Sequence, residues 1–108
     1  MVIAVFVTIP YDKSEALARE LLKEKVCVCI NIVPAVESLY RWEGKIESSK
    51  EALIIIKTKD SLYGKLKVLI ENNHPYSVPE IIAIDIDKIN PKYLEWVNRE
   101  VNAQPYSQ

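Results

Sequence analysis

Residues 26–59, VCVCINIVPAVESLYRWEGKIESSKEALIIIKTK, decide the architecture of this chain. Two β-like arms meet at Trp42-Glu43-Gly44-Lys45. On the first arm, side-chain alternation sets Val26, Val28, Ile30 and Ile32 on one side and Cys27, Cys29, Asn31 and Val33 on the other. On the return arm Ala52, Ile54 and Ile56 alternate with Leu53, Ile55 and Lys57. Gly44, one of two glycines in the chain, marks the reversal, where a tight turn calls for positive φ. Pro34 interrupts the first arm. With no N–H to give the ladder, it predicts a bulge or an edge position there. Each arm runs about fifteen residues, well beyond the usual five or six. A domain this small cannot cover such a hairpin by itself, so another copy of the chain is expected to cover it.

Outward from the hairpin the elements alternate. Residues 2–9 (VIAVFVTI) are apolar almost throughout, as suits a central strand covered on both faces. Pro10 ends that strand. Asp12 with Glu15 three residues on reads as a capping box opening a helix to about Lys25, with Leu17, Ala18, Leu21 and Leu22 as its apolar stripe. After the hairpin, Asp60 or Ser61 is placed to cap a second helix carrying Leu62, Leu66, Leu69 and Ile70. His74-Pro75 stops it, because proline disfavours helical geometry in the residue before it. Residues 81–86 (IIAIDI) form a fourth strand. Asn90-Pro91 opens a last helix with Tyr93, Trp96, Val97 and Val101 toward one side, and 102–108 is a polar tail. The order β-α-β-β-α-β with right-handed crossovers predicts an α+β fold. It is the ferredoxin-like antiparallel sheet with an extended β2-β3 hairpin and an added C-terminal helix. The fold hosts many chemistries and selects none.

Composition narrows the classes. The 108 residues suit one domain, and 49% hydrophobic with 27% charged residues describes an ordinary globular chain. A formal net charge of −1 gives no electrostatic footprint for nucleic acid. No apolar run reaches the ~20 residues that span a bilayer, and no signal-peptide pattern follows Met1. Two cysteines on one side of a strand at i and i+2 are poorly placed to bridge. Cytoplasm is the expected compartment.

Several residues invite chemistry, each beside a plainer role. Cys27 and Cys29 could offer sulfur to a soft metal, although cysteine also packs as a small apolar residue. His74, the lone histidine, could ligate a metal or make a structural hydrogen bond at a helix C-terminus. Tyr40, Trp42, Tyr76, Tyr93 and Trp96 suit subunit contacts, ligand pockets or ordinary core closure. Glu37, Glu43, Glu47, Glu51 and Glu80 are carboxylates for hard metals or solvated strand faces. Lys57 could reach an anion or Glu80. No phosphate loop, catalytic triad or metalloprotease motif is present. No catalytic turnover is expected.

Read together, the short motifs are specific. Thr8-x-Pro10 closes the first strand, and Cys29 follows Val28 at the start of the hairpin. Ser38-x-Tyr40-x-Trp42-x-Gly44-Lys45 spans the hairpin, and Glu51 and Lys57-Thr58 lie on the return arm. His74-Pro75-Tyr76-x-x-Pro79-Glu80 precedes the last strand, and Tyr93-Leu94-x-Trp96 lies on the last helix. In these the chain resembles the CutA family of divalent-cation tolerance proteins. The resemblance implies a cytoplasmic homotrimer built like the PII signalling proteins, with hairpins pairing between subunits. It also implies a response to copper or another divalent cation, without a defined reaction, and an unidentified protein partner. Some relatives offer a cysteine before Thr-x-Pro and a histidine pair before Pro-Tyr, positions held here by Val7 and Asn73-His74. His74 and Cys29 therefore remain as metal candidates. Tyr40, Trp42, Lys57, Tyr76 and Glu80 are expected in a cleft between subunits. The competing expectation is a PII-like signalling or scaffolding trimer binding a small anion or a partner protein. An acylphosphatase-like enzyme lacks the glycine loop and arginine its chemistry needs.

Overall fold

The apolar run Val2–Ile9 forms β1 and lies inside the sheet, between β3 and β4. The computed structural model describes residues 1–101, so the predicted tail at 102–108 lies outside the described residues. In chain order the elements are β1, α1 (Tyr11–Lys23), β2 (Cys29–Trp42), β3 (Lys45–Lys59), a 3-10 turn (Asp60–Leu62), α2 (Tyr63–Asn73), β4 (Ile82–Asp85) and α3 (Pro91–Val101). The sheet runs β2-β3-β1-β4 with every neighbouring pair antiparallel. This is the ferredoxin-like order expected from the sequence.

Odd-numbered β1 residues Ile3, Val5, Val7 and Ile9 pair with Thr58, Ile56, Ile54 and Ala52 on β3. The apolar members of these pairs form one buried cluster with Leu17 and Leu21 of α1 and Leu66 and Ile70 of α2. Both helices thus close one face of the sheet, through the i, i+4 stripes their sequences carry. Each such side chain fully removed from water contributes roughly 1.5–3 kcal/mol. Thr58 is the polar member of that face; its hydroxyl donates to the Val26 carbonyl at 2.8 Å, which satisfies it in a fully buried position.

The segment before β2 departs from the sequence reading. β2 begins at Cys29, and residues 26–28 form a bend after Lys25, whose φ of 58° turns the chain out of α1. Val26 N–H still reaches back to the Leu21 carbonyl, and Val26 and Cys27 both sink into the helix-side cluster. Cys27 and Cys29 therefore do not share a strand face. α1 also starts a residue before the proposed Asp12 cap, directly after Pro10, and no side chain caps it. Glu15 pairs with Arg19 at 2.8 Å instead of closing a capping box. Asp60 opens the 3-10 turn and makes no cap to α2. β4 is four residues long, shorter than the six-residue run suggested.

Pro34 acts as expected. Val33 pairs with Leu53 and Val36 with Glu51, so β2 carries one extra residue at 34–35. β2 is an edge strand, where a missing N–H is tolerated. At the tip Glu43 and Gly44 have φ of 50° and 79°, the two consecutive positive values of a tight hairpin turn that matches strand twist. β1 accompanies β3 only as far as Ala52. From there to the tip the hairpin is a bare two-stranded arm. The radius of gyration, 14.8 Å, exceeds the roughly 13 Å of a compact chain of about 100 residues.

Candidate functional site

The bulge sets which residues line a pocket beside the distal arm. Before it, odd-numbered β2 residues Cys29, Asn31 and Val33 share a face with Lys57, Ile55 and Leu53. After it the parity inverts, and Val36, Ser38, Tyr40 and Trp42 lie opposite Glu51, Ser49, Glu47 and Lys45. These distal residues lie on the sheet face away from α1 and α2, the face that Thr8 also shares through its pairing with Leu53. Residues 76–80 run past the same region. Together they enclose a cavity of about 620 Å³ walled by Tyr40, Trp42, Tyr76, Glu47, Glu51 and Glu80, with Thr8 and Ser38 behind them. None of its lining residues is lysine, arginine or histidine.

A chain of hydrogen bonds fixes the 74–76 segment to the sheet. The β1/β4 ladder stops at Phe6 with Ile82. Beyond it the His74 ring takes up the Thr8 carbonyl, with Nε2 at 2.8 Å. The Tyr76 N–H donates to Nδ1 at 3.1 Å. Nδ1 is thereby the acceptor, so Nε2 carries the proton and donates to Thr8. The two rings lie 4.8 Å apart, tilted by 58°. Pro75 holds His74 extended, at φ −100° and ψ 138°. Finally the Tyr76 hydroxyl donates to Glu51 Oε2 at 2.7 Å. Desolvation, then that hydrogen bond, then the nearby charges of Glu51 and Tyr40 push the Tyr76 phenol up to about 12. Glu51 is only 5% exposed, and it makes no ion pair with a lysine or arginine among the described residues.

The family described as CutA1 divalent ion tolerance protein matches residues 3–100, which include the whole pocket lining. The chain belongs to the CutA1 family. It is 47% identical over 96 residues to the chloroplastic protein CutA of Arabidopsis thaliana, covering 88% of this chain and 53% of that one. It is 38% identical over 94 residues to the divalent-cation tolerance protein CutA of Thermus thermophilus, covering 86% and 91%. The chain thus spans about half the length of the plant relative and most of the bacterial one. The crystal structure of CutA1 from Oryza sativa superposes with a TM-score of 0.89 at 45% identity, covering 92% of each chain.

Within this CutA1 chain the expected site residues separate into two groups. Tyr40, Trp42, Tyr76 and Glu80 meet in the pocket. Lys57 does not: it pairs with Cys29 in the ladder and its ammonium donates to Asn31. The metal candidates do not meet either. Cys29 lies two strands from β1 and level with Ala4, whereas His74 sits at Thr8. At about 4.8 Å per strand and 3.3 Å per residue, that separates them by roughly 16 Å. Both His74 nitrogens are occupied. The Tyr93 phenol, raised by burial and then by a hydrogen bond with Cys29, adjoins that thiol. Burial first, and then Cys29, push the Cys27 thiol up to about 12, away from the thiolate that binds metals. Among the described residues no three His, Cys, Asp or Glu side chains form a group able to hold a metal ion. The residues of one chain do not fit a resident metal. Glu51 is the residue whose importance the sequence understated. Its signal was a carboxylate directly before the apolar run 52–56, on the face that Leu53 and Ile55 continue.

Proposed function

We propose that this chain works as a cytoplasmic, non-catalytic homotrimer in the response to divalent cations, with its pocket as a ligand cleft shared between copies. The observation that carries the reading is the bare distal arm, which forms one wall of that pocket. A two-stranded hairpin alone is marginally stable in water, yet this one exposes Leu39, Tyr40, Trp42 and Ile46 beyond the reach of β1 and the helices. The free sheet edges are β2 and β4, two different surfaces. Pairing β2 of one copy with β4 of the next is head to tail, and a closed ring completes it and leaves no free edge. On the face opposite α1 and α2, Ile82 and Ile84 remain half-exposed beside Phe6 and Ala4, an apolar strip for the ring's interior. The family resemblance supports three as the number.

Copper or another divalent ion bound tightly needs ligands from more than one copy, since one chain assembles none. Membrane insertion has no support in the helices: among the described residues none is long and apolar enough to cross. The PII-like alternative with a small anion is less well supported, because the pocket lining offers three carboxyl groups and no cation. Native mass spectrometry tests the proposal. A trimer of the 12.4 kDa chain should persist at micromolar concentration with and without chelator, and Trp42→Ala should shift it toward monomer. A monomeric wild type overturns the proposal.

A further inference from the structure

The pocket carries a chemical preference of its own. Glu47, Glu51 and Glu80 line it, Glu51 almost fully buried, and none of the three forms an ion pair among the described residues. A buried carboxylate such as Glu51 ordinarily has a cationic partner, whereas Glu47 and Glu80 are exposed and add their charge from the solvent side. The rings of Tyr40, Trp42 and Tyr76 line it as well, beside smaller side chains such as Thr8 and Ser77, and they attract diffuse positive charge to their faces. A volume of about 620 Å³ is far larger than a bare ion requires and falls in the range of small-molecule sites. One oxygen of Glu51 is already committed to the Tyr76 hydroxyl, which leaves the other for a ligand's N–H.

We propose that this pocket takes an organic cation of the alkylguanidinium or alkylammonium class, seated against Tyr40, Trp42 and Tyr76 and neutralised by Glu47, Glu51 and Glu80. The inference rests on reading the pocket as the ligand site and names the class of its ligand. A planar guanidinium suits it best, since one group can stack on a ring and fork its N–H donors onto a carboxylate. Residues 76–80 and the distal arm close the pocket from two sides, so entry is from the rim rather than through the sheet.

The test is calorimetric titration of the whole chain with butylguanidinium, butylammonium and the uncharged, similarly shaped butylurea. Butylguanidinium should bind once per chain, and butylurea at least about tenfold more weakly. Glu47→Gln and Tyr40→Leu, both at exposed positions, should each weaken butylguanidinium about three- to tenfold, with an unchanged circular dichroism spectrum showing that both variants are folded. Equal binding of butylurea, unaltered affinity in both variants, or no butylguanidinium binding overturns the inference. If binding emerges only in Arg41→Gln, a neighbouring copy's own guanidinium fills the pocket, and the free-ligand inference also falls. Native mass in the same solutions separates the two proposals. A trimer that ignores butylguanidinium removes only the ligand class, whereas a monomer removes the shared cleft itself.

Discussion

Replacing His74 with alanine should destabilise the protein in the complete absence of metal. The ring makes two hydrogen bonds, to the Thr8 carbonyl at 2.8 Å and from the Tyr76 N–H at 3.1 Å, each contributing about 0.5–1.5 kcal/mol net. Its tilted contact with Tyr76 at 4.8 Å adds about 0.5 kcal/mol. Removing all three gives a loss of about 2 kcal/mol. The midpoint should then fall by roughly 10 °C at fixed protein concentration. His74→Gln keeps a donor for Thr8 but loses the acceptor for Tyr76, and should fall between the two. The assay is urea unfolding with excess chelator, repeated with copper. The gap between wild type and His74→Ala should be the same in both. If the variant lies within about 0.5 kcal/mol of wild type in chelator and diverges only with copper, the latch assignment is wrong and His74 is a metal ligand.

Other outcomes follow from single contacts. Thr58→Val deletes the buried donor of the Val26 carbonyl and should cost about 1–3 kcal/mol in urea unfolding, with the circular dichroism spectrum unchanged. Glu43→Asn eases a non-glycine residue at φ 50° and should stabilise by about 0.5–1 kcal/mol, read as a higher thermal midpoint. Tyr76 holds its proton more tightly folded than unfolded, with its phenol moved from 10.0 to about 12. Its contribution is therefore complete below pH 10 and lost as pH rises toward 12. Urea midpoints at pH 9 and pH 11.5 should show Tyr76→Phe losing less on that rise than wild type does.

What the sequence revealed was periodic and local. Uninterrupted apolar runs marked β1 and the proximal β3, Pro75 stopped α2, and Asn90-Pro91 opened α3, where Leu94 N–H donates to the Asn90 carbonyl at 3.1 Å. Pro34 and Gly44 announced the bulge and the turn. The errors arose where one backbone dihedral outweighs a pattern. Lys25 in the left-handed region bends residues 26–28 out of the strand, so alternation counted through Cys27 assigned that thiol to the wrong face. The cap at Asp12 failed because Pro10 already ends β1 against the helix start, leaving no room for a separate capping residue. Within the candidate site, Tyr40, Trp42, Tyr76 and Glu80 were legible as aromatics and a carboxylate near the hairpin and the Pro-Tyr segment. Lys57 was misplaced because its distance along β3 from the pocket depends on ladder register, which no local motif encodes. The occupation of both His74 nitrogens was equally invisible, since Thr8 lies 66 residues away in the chain.

The extra residue at 34–35 also bears on how such a chain can change over generations. Substitutions alter a pocket one side chain at a time, but a single-codon deletion here would remove the bulge itself: Val33 and Val36 would stand two apart, as Leu53 and Glu51 already do opposite them, and every β2 residue from Val36 to Trp42 would keep its partner and its face. The core pairs from Ala52 to Lys59 against β1 lie on the other side of the bulge and would keep their register. One short frame-preserving deletion would therefore take away the bend and extra twist that the bulge gives the arm, while leaving both the aromatic wall and the part of the molecule that makes it fold in place.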